Sequence, residues 1–260
     1  MPQPRVLVLR APGTNCDREA VFAFEQAGAR AELVHVNQLL ENPRLAGQSQ
    51  ILCLPGGFSY GDDIAAGRIL ANQIRHHLYD ALAEFKAEGK LILGICNGFQ
   101  ILIKAGVLLA DDERGEPPAT LTGNNSGKFE DRWIRLRRTG GKSVFLEGVD
   151  SLYLPVAHAE GKFVTRDEAA LRRLEENGQL VLRYASPSGD TTAAVEYPDN
   201  PNGSQADVAG VCDETGRVLG LMPHPERHID PTHHPRWTRG EGNNPPDGVA
   251  IFRNGVRYFA

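Results

Sequence analysis

The sequence predicts an α/β fold: a doubly wound, mostly parallel sheet flanked by helices, with further strands added in the second half. Three observations carry this expectation. Short apolar runs alternate with longer amphipathic ones through the first half, the pattern of parallel strands joined by helices. One apolar run ends directly in Pro55-Gly56-Gly57. Another, Leu91-Ile92-Leu93, ends in Gly94-Ile95-Cys96-Asn97-Gly98 and passes into the helix-like Phe99-Gln100-Ile101-Leu102-Ile103. The carboxyl ends of parallel strands are where such sheets gather their chemistry.

Taken in order, residues 5–9 read as a strand and 17–27 as a helix closed by Gly28. Residues 31–36 and 51–54 are the second and third strands. Residues 64–88 form a long helical region, because Ile69, Leu70, Ile74, Leu78, Leu82 and Phe85 recur at helical spacing. Gly89 ends it, and 90–95 is the fourth strand. The second half then offers short strand candidates at 134–137, 153–157, 180–184, 193–197, 208–212 and 218–221, with one helix at 166–177. No linker-like composition divides the halves, so residues 1–260 are expected to form a single domain. Residues 230–248, rich in proline and glycine, read as an irregular excursion, and 249–259 as a closing helix or strand.

Composition narrows the function. At 260 residues and 41% hydrophobic, the chain has enough apolar material for a sizeable core. A net charge of -5 without a long basic run argues against nucleic acid as a partner. No signal-peptide core follows the N-terminus and no apolar stretch is long enough for a bilayer, so a cytoplasmic protein with no membrane partner is expected. Cys16, Cys53, Cys96 and Cys212 are widely spread with no C-x-x-C pair, which suits free thiols in a reducing compartment.

Cys96 is the leading candidate for chemistry. A Gly-x-Cys-x-Gly turn at a strand end lifts the sulfur out of the sheet and sets it at a helix N-terminus, where dipole and free N–H groups favour thiolate. A thiolate nucleophile needs a base, and the base a carboxylate to orient it. Met222-Pro223-His224-Pro225-Glu226 offers both: on an extended stretch, which the prolines favour, His224 and Glu226 point the same way. Backbone N–H groups at Gly57 and at Asn97, the residue after the nucleophile, are candidate oxyanion donors. His158 and Glu160 repeat the His-x-Glu spacing and compete for the role of base. Cys16, Cys53 and Cys212 are more simply buried or loop thiols. His224, His228, His233 and His234 cluster in sequence, but the prolines between them break helical ligand spacing, so no metal site is expected.

Pro-Gly-Gly after the third strand, Gly-Ile-Cys-Asn-Gly-x-Gln and a late Pro-His-Pro-Glu together resemble the class I (triad) glutamine amidotransferases, whose sheet is flavodoxin-like. Further stretches resemble that family's phosphoribosylformylglycinamidine synthase glutaminases: Pro12-Gly13-Thr14-Asn15-Cys16-Asp17, Gly57-Phe58-Ser59-Tyr60-Gly61-Asp62, Thr122-Gly123-Asn124-Asn125-Ser126-Gly127-Lys128-Phe129 and Ala157-His158-Ala159-Glu160-Gly161. The resemblance runs from about residue 6 to residue 228. It implies that Cys96, His224 and Glu226 hydrolyse glutamine through a thioester. Gln100 would hold the amino-acid end of glutamine, and Phe58, Ser59, Asn124, Asn125, Ser126 and Phe129 would lie on substrate-binding loops. It implies no cofactor in this chain. ATP and magnesium would belong to a large synthetase partner, accompanied by a small third subunit, that uses the ammonia to convert formylglycinamide ribonucleotide to formylglycinamidine ribonucleotide in purine biosynthesis. His158 and Glu160 would then serve loop support or the path to the partner. The absence of a Walker-type loop agrees with an ATP site elsewhere. A stand-alone cysteine hydrolase, a gamma-glutamyl hydrolase or peptidase on the same fold, is the alternative; it would need neither free glutamine nor a partner. A catalytically silent interaction subunit is a third possibility, opposed by the intact Cys, His and Glu.

Overall fold

The chain's alternating pattern becomes a sheet that is parallel from one edge to its middle and antiparallel from there to the other edge. In the computed structural model, residues 3–112, 115–189, 193–242 and 245–260 are described. The first half runs β1 (Arg5–Arg10), α1 (Asp17–Gln26), β2 (Arg30–His35), α2 (Val36–Glu41), β3 (Ile51–Leu54), α3 (Arg68–Gln73), α4 (Tyr79–Ala87), β4 (Leu91–Ile95) and α5 (Asn97–Lys104). The second half runs β5 (Ala119–Thr122), β6 (Glu130–Arg138), β7 (Ser151–His158), β8 (Lys162–Thr165), α6 (Glu168–Glu176), β9 (Leu180–Ala185), β10 (Val208–Cys212), β11 (Val218–Leu221) and α7 (Gly248–Arg257).

Among the described residues, nine strands form one sheet in the order β2-β1-β3-β4-β11-β10-β9-β6-β7, while β5 and β8 pair separately. Neighbours from β2 to β11 are parallel, and those from β11 to β7 are antiparallel. The order reverses direction at β1, so right-handed crossovers put the helices joining β1 to β2 and β3 to β4 on opposite faces. Strands β3, β4 and β11 are buried at every position, as strands covered on both sides must be. Helices α1 and α7 meet through Phe24 and Phe252, edge to face at 4.9 Å. Helix α5 packs on β3, β4 and β11. Gly220 gives it room, since a Cβ there would lie 2.2 Å from the Phe99 ring.

Several sequence expectations are corrected. The helix expected at 64–88 begins only at Arg68, because Gly67 holds φ 71, and a π turn (Ile74–Leu78) separates α3 from α4. Helix α2 starts where the second strand was expected to end: His35 Nδ1 accepts from Asn37 N, and Gln38 Oε1 accepts from His35 N. Residues 193–197 form no strand. The Val195 N–H donates to the Asp207 carboxylate instead of to a neighbouring strand. The β5–β8 pair was not foreseen. The closing segment is the helix α7, and the excursion before it carries two short 3-10 turns, Pro231–His233 and Trp237–Arg239, with residues 243–244 outside the described residues. Among the described residues, no helix is long and apolar enough to cross a membrane.

Candidate active site

Three neighbouring parallel strands deliver the candidate site. Leu54 of β3 lies beside Gly94 of β4, and Ile95 of β4 lies beside Leu221 of β11. Their carboxyl ends therefore release Gly56-Gly57, Cys96 and His224 side by side. Cys96 sits at φ 50, ψ -105 as the residue before α5, a strained backbone that costs a non-glycine residue about 1–3 kcal/mol. Its N–H donates to Leu221 O at 2.8 Å and its C=O accepts from Gln100 N at 3.1 Å, so both strand and helix hold the turn. The flanking glycines are obligatory: a Cβ on Gly98 would stand 1.8 Å from Leu54 O, and one on Gly94 2.5 Å from Leu102 Cδ1. The sharp turn expected of the motif is thus present, with the Cys96 thiol directed at Ala157 O, 3.7 Å away.

His224 follows β11, and its N–H donates to Pro155 O at 2.9 Å, tying the loop to β7. The sequence predicts an extended His224–Glu226 stretch. Instead Pro225 opens a 3-10 turn (Pro225–Arg227) that folds the Glu226 carboxylate back onto His224 Nδ1 at 2.6 Å. Both side chains are buried. Burial alone would push the imidazole down. The Glu226 carboxylate and the Cys96 sulfur outweigh it and hold His224 well above the usual histidine range. Among the described residues, His224 Nε2 and Glu226 Oε2 are buried without a hydrogen-bond partner.

The loop after β3 is built as a rigid wall. Gly57 has φ 143, and a Cβ there would lie 2.7 Å from Asn15 N and 2.9 Å from Gly13 O. Tyr60, Gly61 and Asp62 all have left-handed φ. Asn97 buckles this loop to α5: its Oδ1 accepts from Ser59 N at 3.2 Å, and its Nδ2 donates to Asp62 Oδ1 at 3.1 Å and Gln100 Oε1 at 2.9 Å. Gly57 and the first turn of α5, whose N–H groups lack helical acceptors, are therefore fixed relative to one another. Phe58 and Phe129, from two separate loops, stack at 6.3 Å with about half of each ring exposed.

Other expected substrate contacts bond within the chain. Gln100 is buried, with Nε2 donating to Glu160 O as well as Oε1 accepting from Asn97. Ser59 engages through its backbone, and its hydroxyl is buried without a partner. Asn124 is a loop clasp: its Nδ2 donates to Lys128 O and His158 O, and its Oδ1 meets Gly161 N and His158 Nδ1. These four bonds occupy its side-chain amide. Asn125 is exposed, with Oδ1 accepting from Lys162 Nζ at 2.8 Å, and Ser126 Oγ accepts from Lys128 N.

His158 and Glu160 do not pair. His158 Nδ1 faces Asn124, while the Glu160 carboxylate accepts from Ala66 N and lies 3.9 Å from Lys104 Nζ. Burial, and then the charge of His224, push His158 down to about 4. His228 and His234 pack on Trp133 instead of converging on one point. What sequence reasoning missed is Cys16. The sequence suggests a simple loop or buried thiol, yet its sulfur lies 4.0 Å from His224 Nδ1 and 3.2 Å from Arg227 Nη2. The signal was its place in the Gly13-Thr14-Asn15-Cys16 loop after β1, the strand beside β3.

A family model described as a CobB/CobQ-like glutamine amidotransferase domain matches residues 3–259. A phosphoribosylformylglycinamidine synthase subunit PurQ of Dehalococcoides mccartyi is 45% identical, over 99% of this chain and 98% of the relative. The subunit of the same name from Methanococcus maripaludis is 40% identical over 98% and 97%. Among solved structures, PurLQS from Thermotoga maritima matches with a TM-score of 0.73 at 32% identity, covering 100% of both chains. With the nucleophile-elbow geometry and these full-length likenesses together, the chain belongs to the PurQ family of phosphoribosylformylglycinamidine synthase subunits, within the CobB/CobQ-like glutamine amidotransferases.

Proposed function

We propose that this chain is the glutaminase subunit of a phosphoribosylformylglycinamidine synthase and that Cys96, His224 and Glu226 carry its chemistry. The observation that carries the reading is the strained Cys96 elbow beside a buried His224–Glu226 pair. Cys96 thiolate attacks the side-chain carboxamide of glutamine, with backbone N–H groups at Gly57 and Asn97 stabilising the oxyanion. The charged His224, held by Glu226, gives its Nε2 proton to the departing ammonia. Neutral His224 then activates water to hydrolyse the glutamyl thioester. The protonation of His224 well above its usual range supports this order, since an imidazolium is ready to act as acid first.

The stacked Phe58 and Phe129 form an apolar lip where glutamine enters. Gln100 fixes the backbone of residue 160, which makes its service to the amino-acid end of glutamine indirect. Ammonia passes to a large synthetase partner that binds ATP and magnesium, with a small third subunit completing the assembly; the likeness to PurLQS supports this. The product of the assembly is formylglycinamidine ribonucleotide, and the working compartment is the cytoplasm. This chain needs no cofactor of its own. A diazoketone analogue of glutamine should alkylate Cys96 alone, and ammonia release should rise sharply when synthetase and its ribonucleotide are added. Labelling elsewhere, or hydrolysis indifferent to glutamine and partner, would return the chain to the stand-alone hydrolases.

A further inference from the structure

We propose that Cys16, His224 and Glu226 form a binding site for a soft divalent cation, zinc foremost, that switches the active site off. The binding stands on geometry alone, while the inhibition rests on the triad reading above. One ligand atom from each of the three residues lies within 4.8 Å of the other two, and all three residues are buried. Thiolate, imidazole and carboxylate are the donors that zinc takes, and two anions with a neutral imidazole balance its charge.

The distances are close to those a metal needs. Tetrahedral zinc sets its nitrogen and oxygen ligands about 3.3 Å apart and its nitrogen and sulfur ligands about 3.6 Å apart. Here His224 Nδ1 stands 2.6 Å from Glu226 Oε1 and 4.0 Å from Cys16 Sγ. Sub-ångström shifts of opposite sign reach both values. Glu226 Oε2 is buried with no hydrogen-bond partner, an acceptor available to a cation. Gly56 closes the other side: a Cβ there would lie 2.7 Å from His224 Cε1 and 3.3 Å from Cys16 Sγ.

A cavity adjoins the cluster at Glu226. Glu226 and Arg227 line a cavity of about 540 Å³ with Arg18, Glu19, Phe22 and His233. Arg227 is the gate. Its Nη2 lies 3.2 Å from Cys16 Sγ, where the metal would displace it, and Glu19 already waits 3.4 Å from its Nε. Water from the cavity supplies a fourth ligand.

On binding, Zn–S, Zn–N and Zn–O bonds form. The Cys16 thiol proton and the Nδ1 proton leave to solvent, and Nε2 keeps its hydrogen. His224 then has no lone pair with which to activate water against the glutamyl thioester, so turnover stops while the nucleophile is untouched.

The test uses the full chain carrying Cys96→Ala, which removes the other thiol near His224. Cobalt(II) should give thiolate-to-metal charge-transfer absorption in this chain, and zinc should displace it. Adding Cys16→Ser should abolish the band, whereas adding Arg227→Gln should tighten cobalt binding at least 5-fold while leaving all three ligands in place. With Cys96 intact, zinc should inhibit glutamine hydrolysis, a chelator should restore it, and Cys16→Ser should weaken the inhibition at least 10-fold. A band that vanishes with Cys96→Ala alone, survives Cys16→Ser, or ignores Arg227→Gln overturns the site. Failure of the triad reading shows separately, as glutamine hydrolysis that persists in Cys96→Ala without any metal.

Discussion

In His224-Pro225-Glu226 the carboxylate folds back to 2.6 Å from Nδ1; in His158-Ala159-Glu160, at the same spacing, the glutamate turns away to Ala66 N and Lys104. The first imidazole meets a carboxylate that holds it well above the usual histidine range; the second faces the neutral Asn124 amide, and burial and then the charge of His224 drive it down to about 4. The difference lies in the backbone. Pro225 opens a 3-10 turn after His224, whereas His158 ends strand β7 and Gly161 presses on its ring, where a Cβ would stand 2.5 Å from ring atoms. Sequence spacing proposes a dyad, but the turn that follows the histidine decides whether one forms.

Removing each imidazole in turn should separate the two histidines most strongly. His224→Asn should lower kcat for glutamine hydrolysis by about 10³-fold or more, the scale of losing a triad base, while His158→Asn should cost less than about 10-fold. Steady-state kinetics on the assembled enzyme checks both, and equal losses would erase the distinction. The carboxylates should diverge likewise. Glu226→Gln should cost about 10²-fold or more in kcat with KM little changed, because the tautomer and charge of His224 are lost. Glu160→Gln should leave kcat nearly intact and lower stability by about 1 kcal/mol, read from denaturant midpoints.

A third prediction separates the pairs by pH. His158 binds its proton more weakly when folded than the ordinary 6.5 of an unfolded histidine. Its contribution is therefore fully present above 6.5 and is lost as pH falls from there towards 4, by about 3 kcal/mol in all. His224 has the opposite sign: stability present below 6.5 is lost as pH rises through its elevated folded value. His158→Asn should flatten the acid side of a stability–pH curve, and His224→Asn should not. The smallest effect belongs to the lip: Phe58→Ala should raise KM for glutamine about 3- to 10-fold and leave kcat within about two-fold, since half of the ring is exposed and its loss removes apolar contact without touching the reacting atoms.

The parallel half of the fold and the Cys96 elbow were legible because their causes are local. Leu91–Ile95 is apolar throughout, and the glycines around Cys96 answer contacts that forbid a side chain. The antiparallel half was read more coarsely. Residues 193–197 have strand-like composition, but Val195 finds a carboxylate rather than a strand edge, a long-range fact that no window contains. Asn124 stands among turn-forming residues in the sequence, and only the folded chain shows its side chain clasping Lys128, His158 and Gly161. Cys16 was overlooked for a related reason: its neighbours His224 and Arg227 lie more than two hundred positions away in the chain, on the far side of β3 in sheet order.

The most direct test is a nitrogen-15 imidazole NMR titration of the free chain, with His224→Asn and His158→Asn spectra to assign the two rings. His224 should remain an imidazolium at pH 7 and beyond, with its Nδ1 proton strongly deshielded by Glu226, while His158 should stay neutral down to about pH 4. A neutral His224 at pH 7 beside a His158 that titrates near 6.5 or above would contradict this.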